Sequence, residues 1–438
     1  MALPRGLPDG PHLDDDAVWR MDEDPATVLG SLQQQYGDIF TVHRSGAAPR
    51  VVLTSDSHIR ELIKRDPDLY ACGTSQFAQL VGRQSVNMLS GEPHRRMRQL
   101  LLPPLHGHAL AGRVPRIRGI MREEFDRLRG ADPVPLLQFT SEIALRVTAS
   151  VLFSPMSAAQ VRELCAPLME IIEGIHQHRS VPPADRSAES VTSAREAFAR
   201  QRARLDENLS AQVAAHRSNP DSDPASLLGQ LLSAPVALTD QQILDQLATM
   251  LVAGHLTTAS GLAMAAYWMQ RPGEHAAAAA AELDALADDH SAADLAALHH
   301  VTAFCDEVLR IGSVVPHSSG RRTAGPVRAF GYELPAGTEL IVSLHLAHRR
   351  PEVYPDPEEF DPRRFVDSPP SATTFVPFGM GVRRCPGAAL ATLEMKIFLA
   401  CLRRTPGLEL IGADVPFRTV SFGSTLAPPT QIRLRRTV

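Results

Sequence analysis

The densest concentration of chemistry-bearing residues in this 438-residue chain is Phe378-Gly-Met-Gly-Val-Arg-Arg-Cys-Pro-Gly387, followed by the helical run Ala388 to Leu402. A cysteine at the start of a helix faces free backbone N–H groups and the positive end of the helix dipole, and both favour thiolate. Glycines at 379, 381 and 387 let the backbone turn tightly and come close to a flat ligand. Arg383 stands two residues before Cys385, where it can pair with a carboxylate of that ligand. A buried thiolate beneath a planar, acidic cofactor describes cysteine-ligated haem. A lone Cys-Pro-Gly, by contrast, is ordinarily a buried cysteine beside a glycine-rich loop, so the argument rests on the whole pattern.

That pattern, F-G-x-G-x-R-x-C-x-G from Phe378 to Gly387, is filled without a gap and resembles the haem-binding signature of the cytochrome P-450 family. Three further matches follow in the family's order. Glu307-Val-Leu-Arg310 is similar to its E-x-x-R motif, and Pro362-Arg-Arg-Phe365 supplies Arg364 as the arginine that joins the pair. Spaced i,i+3, Glu307 and Arg310 share a helix face. The resemblance makes the three a structural clamp behind the haem. His94 and Arg98, spaced H-x-x-x-R, resemble the family's pair for a haem propionate, and Arg321 stands where a further propionate arginine is often found. The resemblance runs from the first strands near residue 39 to the last segment. It implies haem b as cofactor, Cys385 as the iron ligand, and Phe378, Gly379, Gly387, Arg383, His94, Arg98 and Arg321 around it.

Ala253-Gly-His-Leu-Thr-Thr258 is similar to the family's oxygen-binding motif. There the small pair Ala253 and Gly254 would let the helix open locally over the iron, and Thr257 would hydrogen-bond bound oxygen and help deliver protons. A threonine inside a helix can instead simply bond back to its own backbone. Leu256 departs from the family, which usually has Asp or Glu there, and leucine has no donor or acceptor. Three routes stay open: protons arrive through water chains or His255, a polar group of the substrate assists, or the reaction is a less usual haem-thiolate one.

These residues need elements to hold them. Pro25 to Tyr36 reads as a helix, and Ile39 to His43 and Arg50 to Thr54 as strands joined through Ser45-Gly46. Thr239 with Gln242 forms a capping box for a proline-free run to Gln270, roughly 45 Å of helix at 1.5 Å per residue. Apolar on most sides, that helix should cross the centre of the protein. Met1 to Asp24 reads as an irregular start, His176 to Ser193 as a mobile loop, and Val327 to Tyr332 and Thr338 to Ser343 as strands. The expected fold is mainly α with a minor β-sheet region, the P-450 fold, in one domain spanning 1–438. Its β-rich parts are about 37–55 and 325–345, and its helical parts about 93–323 and 387–403.

Composition is ordinary for a globular protein, 44% hydrophobic and 21% charged with a net charge of −5, and shows no basic tail that would suggest nucleic acid. Five unpatterned cysteines imply neither a disulfide framework nor a zinc site. The start lacks the character of a signal peptide, and on this reading no apolar run approaches the ~18–20 residues of a membrane span, so a soluble cytoplasmic protein is expected. No dinucleotide-binding G-x-G-x-x-G unit or ferredoxin-like cysteine cluster occurs. Electrons must therefore come from separate donors of ferredoxin or flavodoxin type with a reductase, docking near Arg95, Arg96 and Arg384. The reading is a monooxygenase that uses O2 on a small organic substrate. Its pocket would be lined from Cys72 to Met88, Met250 to Thr257, Ser313 to Ser319 and Phe422 to Thr425, under a lid formed by the segments flanking Ser180 to Ser190. A peroxide-driven or oxygen-independent rearrangement catalyst on the same scaffold and a non-catalytic haem carrier or sensor are the rival readings.

Overall fold

Thr239 opens the element on which the rest is assembled. Its hydroxyl accepts the Gln242 N–H, while Gln242 Oε1 accepts the Thr239 N–H at 2.9 Å, so the capping box is formed as read. From there Asp240–Gln270 is one uninterrupted 31-residue helix, here called the central helix. The structure, a computed structural model, describes residues 6–66, 69–71, 75–129, 132–219, 222–271, 274–366, 371–412, 420–422, 425–427 and 433–436.

Two apolar clusters divide the central helix between them. Its first half contributes Leu247 and Leu251, which pack with Leu164 and Leu168 of helix Ala158–Ser180 and Leu205 and Leu209 of helix Ala188–Ser218. Its second half contributes Leu262, Met264 and Tyr267, which pack with Phe125, Phe304 and Phe398. Those phenylalanines belong to helices Val114–Arg127, His299–Gly312 and Ala388–Arg403. Helix Leu136–Leu152 lies alongside the central helix for much of its length. By length and composition the central helix could cross a membrane, with a mean hydropathy of 1.3 over its best window, contrary to the expectation that no run would. Because 61% of that window is buried inside the protein, its apolar character is that of a core helix.

The β-part is a six-stranded sheet in the order His12–Leu13, Ile39–Arg44, Arg50–Leu53, Glu339–Val342, Arg321–Arg322 and Tyr70–Ala71. Phe40 pairs with Val52 across the antiparallel hairpin, and Val51 pairs with Leu340 in the parallel neighbour. Arg321 pairs with Leu340, which carries it from the sheet to the edge of the site.

Three expectations are corrected. The amino-terminal stretch is not irregular: Asp14 caps helix Asp15–Glu23 by accepting the Ala17 N–H, with Asp15 and Asp16 at the positive end of the dipole. His176 to Ser193 is not a long loop, since one helix runs to Ser180 and the next starts at Ala188, capped by Ser187. Ser187, read as loop-forming, serves as a cap by accepting the Ser190 N–H. Val327 to Tyr332 is not one strand but the first arm and turn of a hairpin, Val327–Ala329 with Tyr332–Leu334. Phe330 and Gly331 take φ of +54° and +83° at the turn.

Candidate functional site

The segment before the helix Ala388–Arg403 is pinned at both ends. The Val376 N–H donates to His348 Nε2 at 2.9 Å, and the Cys385 N–H donates to the Phe378 carbonyl at 2.8 Å. Gly379 has φ +70°, and a side chain there would stand in open space, at the wall of a large cavity. Gly381 is needed for a different reason: with φ +63°, an added Cβ would lie 2.2 Å from an oxygen of Asp66. Sequence reading missed Asp66, a buried carboxylate at the end of helix Asp56–Arg65. It accepts the Val382 N–H at 2.9 Å and pairs with Arg321 at 2.8 Å, tying the cysteine segment to the sheet. Only its distance in sequence hid it.

Cys385 itself is free and faces the cavity. The helix-start position favours thiolate, as expected, but without a metal ion it is outweighed by burial. Burial pushes the thiol up, and the Gly387 N–H, Arg98 and Arg384 oppose this without cancelling it. Gly387 caps the following helix with no side-chain bond of its own. A metal ion at Sγ would deprotonate the thiol outright.

Around the same cavity stand His94, Arg98, Arg321 and Arg383. His94 is buried, and burial together with Arg383 and Arg98 lowers it to about 4, so it is neutral. Burial and Arg321 lower Arg383 to about 10, although it donates to the Leu89 carbonyl at 2.7 Å. Burial also lowers Arg98, whose guanidinium makes no hydrogen bond or ion pair among the described residues. Crowded, partly desolvated cations beside a thiol lack negative charge, which is what a planar cofactor carrying two carboxylates brings. The residues present fit haem b. Arg321 fits the expected carboxylate role less well than its neighbours. Its guanidinium is bonded to both oxygens of Asp66 and to the carbonyls of Ser319 and Met380, and one of its five N–H groups remains.

Opposite, the central helix presents Ala253, Gly254, Leu256 and Thr257 to the cavity. The helix does not open there. Gly254 is explained by helix contact, since an added Cβ would meet Thr148 Oγ1 at 2.7 Å, and Thr148 donates to the Gly254 carbonyl at 3.2 Å. The Thr257 hydroxyl donates to the Ala253 carbonyl at 2.7 Å, the backbone bond weighed as its ordinary alternative. Its oxygen can still accept from the cavity side. Leu256 packs against the apolar cluster of the helix's first half. His255 is an unsuitable proton carrier: it is fully buried, does not line the cavity, and bonds Ser141 Oγ at 2.5 Å. Burial lowers it to about 4.

Sequence reading also missed Glu394, two turns into the helix after Cys385. It lines the cavity, is 1% exposed, and leaves Oε2 without a hydrogen-bond partner. Burial raises it well above the ordinary carboxylate range, so the group is a carboxylic acid. The signal that could have found it is an acid on the inward face of an otherwise apolar helix.

Behind the site the clamp is formed. Glu307 and Arg310, both 0% exposed, pair at 2.6 Å, and Arg364 reaches Glu307 at 3.5 Å. Arg310 also donates to the carbonyls of His348, Pro357 and Glu359. It thereby holds the irregular segment that leads to the cysteine.

The cavity measures about 2250 Å³, against ~300–1,000 Å³ for an ordinary small-molecule pocket, which leaves room for a cofactor and a substrate. Of the expected lining, Met250, Val252, Ala253, Gly254, Leu256 and Thr257 are present, as are Val314 to Ser319 and Phe77, Leu80, Val86 and Asn87, whereas Leu251, His255 and Ser313 do not line the cavity. Cys72 lies outside the described residues, as do 423 and 424 in the expected last stretch. Ile171, Ile175 and Phe198 of the two helices flanking 181–187 close the cavity, and Trp19 joins them by donating to the Arg179 carbonyl at 2.7 Å.

Fold and site together define a haem-thiolate oxygenase. The cytochrome P450 family model matches residues 17–430, and the chain belongs to that family. It is 32% identical to cytochrome P450 135B1 of Mycobacterium tuberculosis over 408 residues, 90% of this chain and 84% of that protein. It is 31% identical to cytochrome P450 135A1 of the same species over 412 residues, 91% and 88% of the two chains. The fold matches retinoic acid-bound cyanobacterial CYP120A1 with a TM-score of 0.85 over 99% of both chains at 24% identity. It matches the haem domain of cytochrome P450DA with a TM-score of 0.82 at 21% identity, covering 100% and 99%. The protein is a bacterial-type P450 monooxygenase with haem b as cofactor, and the family works with O2, an organic substrate and redox partners.

Proposed function

We propose that Cys385 Sγ ligates the haem iron, that Arg98, Arg383 and His94 hold the propionates, and that one oxygen atom from O2 is inserted into a small substrate lying between the haem and Thr257. The observation that carries this is that one cavity is lined by a free thiol, by under-compensated arginines and, opposite them, by a threonine hydroxyl. Haem, when bound, supplies the iron at which oxygen is activated, and the electron-rich thiolate favours O–O cleavage. Phe378, Gly379 and Gly387 line the cavity beside Cys385, where the haem would lie. Thr257 accepts a hydrogen bond at Oγ1 from a water or bound ligand while its proton stays on the Ala253 carbonyl. Glu394 holds a proton at a cavity-facing carboxyl, in a chain where position 256 carries none.

The substrate reading rests on the stretch Val314 to Ser319. His317 lines the cavity with Nδ1 unpartnered, and burial and Arg50 keep it neutral by lowering it to about 4. It suits a substrate with a polar group near one end, and we assign a role in secondary metabolism in the cytoplasm, with ferredoxin- or flavodoxin-type donors. Arg95 and Arg96 share the single carboxylate of Glu92, which leaves positive charge for such donors beside Arg384. The deciding experiment is the absorption spectrum of the reduced protein with carbon monoxide. A strongly red-shifted Soret band lost in Cys385→Ala or Cys385→His is expected; an ordinary band, or no bound haem, would overturn the assignment.

A second reading, peroxide-driven turnover, is favoured by Leu256 and by the bond that occupies the Thr257 hydroxyl proton. Turnover with peroxide that exceeds turnover with O2 and reductase would select it.

A further inference from the structure

His106 is bonded to the peptide beside the cysteine. Its Nε2 lies 2.9 Å from the Pro386 carbonyl oxygen, 280 residues away in sequence. A carbonyl can only accept, so Nε2 carries the proton and donates. The same peptide unit carries the Gly387 N–H and lies against the sulfur: a Cβ built on Gly387 would stand 3.8 Å from Cys385 Sγ. One rigid, conjugated amide therefore joins an imidazole donor on its oxygen to a thiolate on its nitrogen side.

We propose that His106 is a positioning residue that tunes electron donation by Cys385 through the Pro386–Gly387 peptide. The proposal rests on Cys385 being the iron ligand. Withdrawing electron density at the carbonyl oxygen makes the amide N–H a stronger donor, as in any chain of hydrogen bonds. A stronger N–H bond to sulfur takes charge off the thiolate and stabilises the reduced iron relative to the oxidised one. Hydrogen bonding to the ligand sulfur is one of the levers that set such potentials.

The local fold holds the donor in place. Pro103 and Pro104 fix the backbone before it in a short 3-10 turn, and Leu105 anchors that turn in the core at 4% exposure. Gly107, with φ +55°, turns the chain into helix Gly107–Ala111 immediately after it. The imidazole is half-buried, so its bond is shielded from competing water on one side.

The test compares His106→Gln, which keeps an N–H at a similar reach, with His106→Met, of the same size and without a donor. In haem-loaded protein, the ferric/ferrous midpoint potential of His106→Met should be more negative than wild type, and its reduced, CO-bound Soret band should move. His106→Gln should restore both toward wild type. Equal potentials and spectra in wild type, Gln and Met variants would overturn the proposal, as would Gln behaving like Met. If Met fails to fold, His106→Leu or His106→Phe carries the comparison. Loss of fold in all three with Gln intact would make the bond purely structural and also overturn it. Failure of the ligand reading is distinguishable, because wild type itself would then lack the red-shifted band that Cys385→Ala removes.

Discussion

Position 256 is where the chemistry of single residues is most exposed to test. Leu256 faces both the cavity and an apolar cluster, and Glu394 is the carboxyl that burial keeps protonated on the same cavity. If Glu394 supplies protons, Glu394→Gln, which keeps the shape and removes the acid, should slow O2-dependent turnover by on the order of 10–100-fold. A general acid typically contributes ~10²–10⁴, and water chains would supply part of it. Turnover with peroxide, which brings its own protons, should change far less; an equal loss with both oxidants would remove Glu394 from the proton route. Leu256→Glu should raise product formed per reductant consumed. A fall in turnover or a new product would instead mean that the leucine shapes the substrate pocket.

At the scale of elements, the site depends on two close fits. Gly254 admits helix Leu136–Leu152 against the central helix, with Thr148 at 2.7 Å from where a Cβ would stand. Gly254→Val should cost about 1–3 kcal/mol through overpacking, read as a lower denaturant midpoint. A midpoint equal to wild type would show that the helices part there at no cost. The clamp is the second fit. Glu307→Gln leaves Arg310 buried with a weakened partner and should cost about 3–5 kcal/mol, with loss of haem retention before loss of helix content. Retained haem affinity would show that the cysteine segment is held without the clamp.

For the whole molecule, buried histidines set the response to acid. Burial lowers His255 and His317 to about 4, His348 to about 3, and His345 well below its ordinary value. In each case the unfolded chain binds the proton first, so the stability these groups contribute is full above about 6.5 and is lost as pH falls toward 4. Two buried carboxyls act oppositely: Asp306, raised to about 6, and Glu394 both cost stability as pH rises past the ordinary carboxylate value. With His94, also lowered to about 4, five histidines outweigh two acids, and the urea midpoint should rise from pH 4.5 to 7. A flat or falling profile would show that the histidines are not held neutral, and His255→Asn should make the rise shallower.

Local order and the cysteine motif were legible in the sequence because both are written in consecutive residues. The central helix has the expected bounds because Thr239 and Gln242 cap each other and no proline interrupts the run to Gln270. Helix Pro25–Tyr36 and the hairpin Ile39–Arg44 with Arg50–Leu53 follow from a proline at a helix start and alternation around a turn. Phe378 to Gly387 pointed to haem because a thiol, an arginine and three glycines at fixed spacing have one evident use. Polar composition misled where serines and aspartates cap helices, as at Asp14 and Ser187, because a cap and a loop use the same residues. The tertiary structure alone decided what lies across the chain from what. It set Asp66 under Gly381, His106 on Pro386, Glu394 in the cavity and His255 away from it. Those are contacts between residues that no local pattern links, fixed by the packing of whole helices and by the burial that then sets each group's charge.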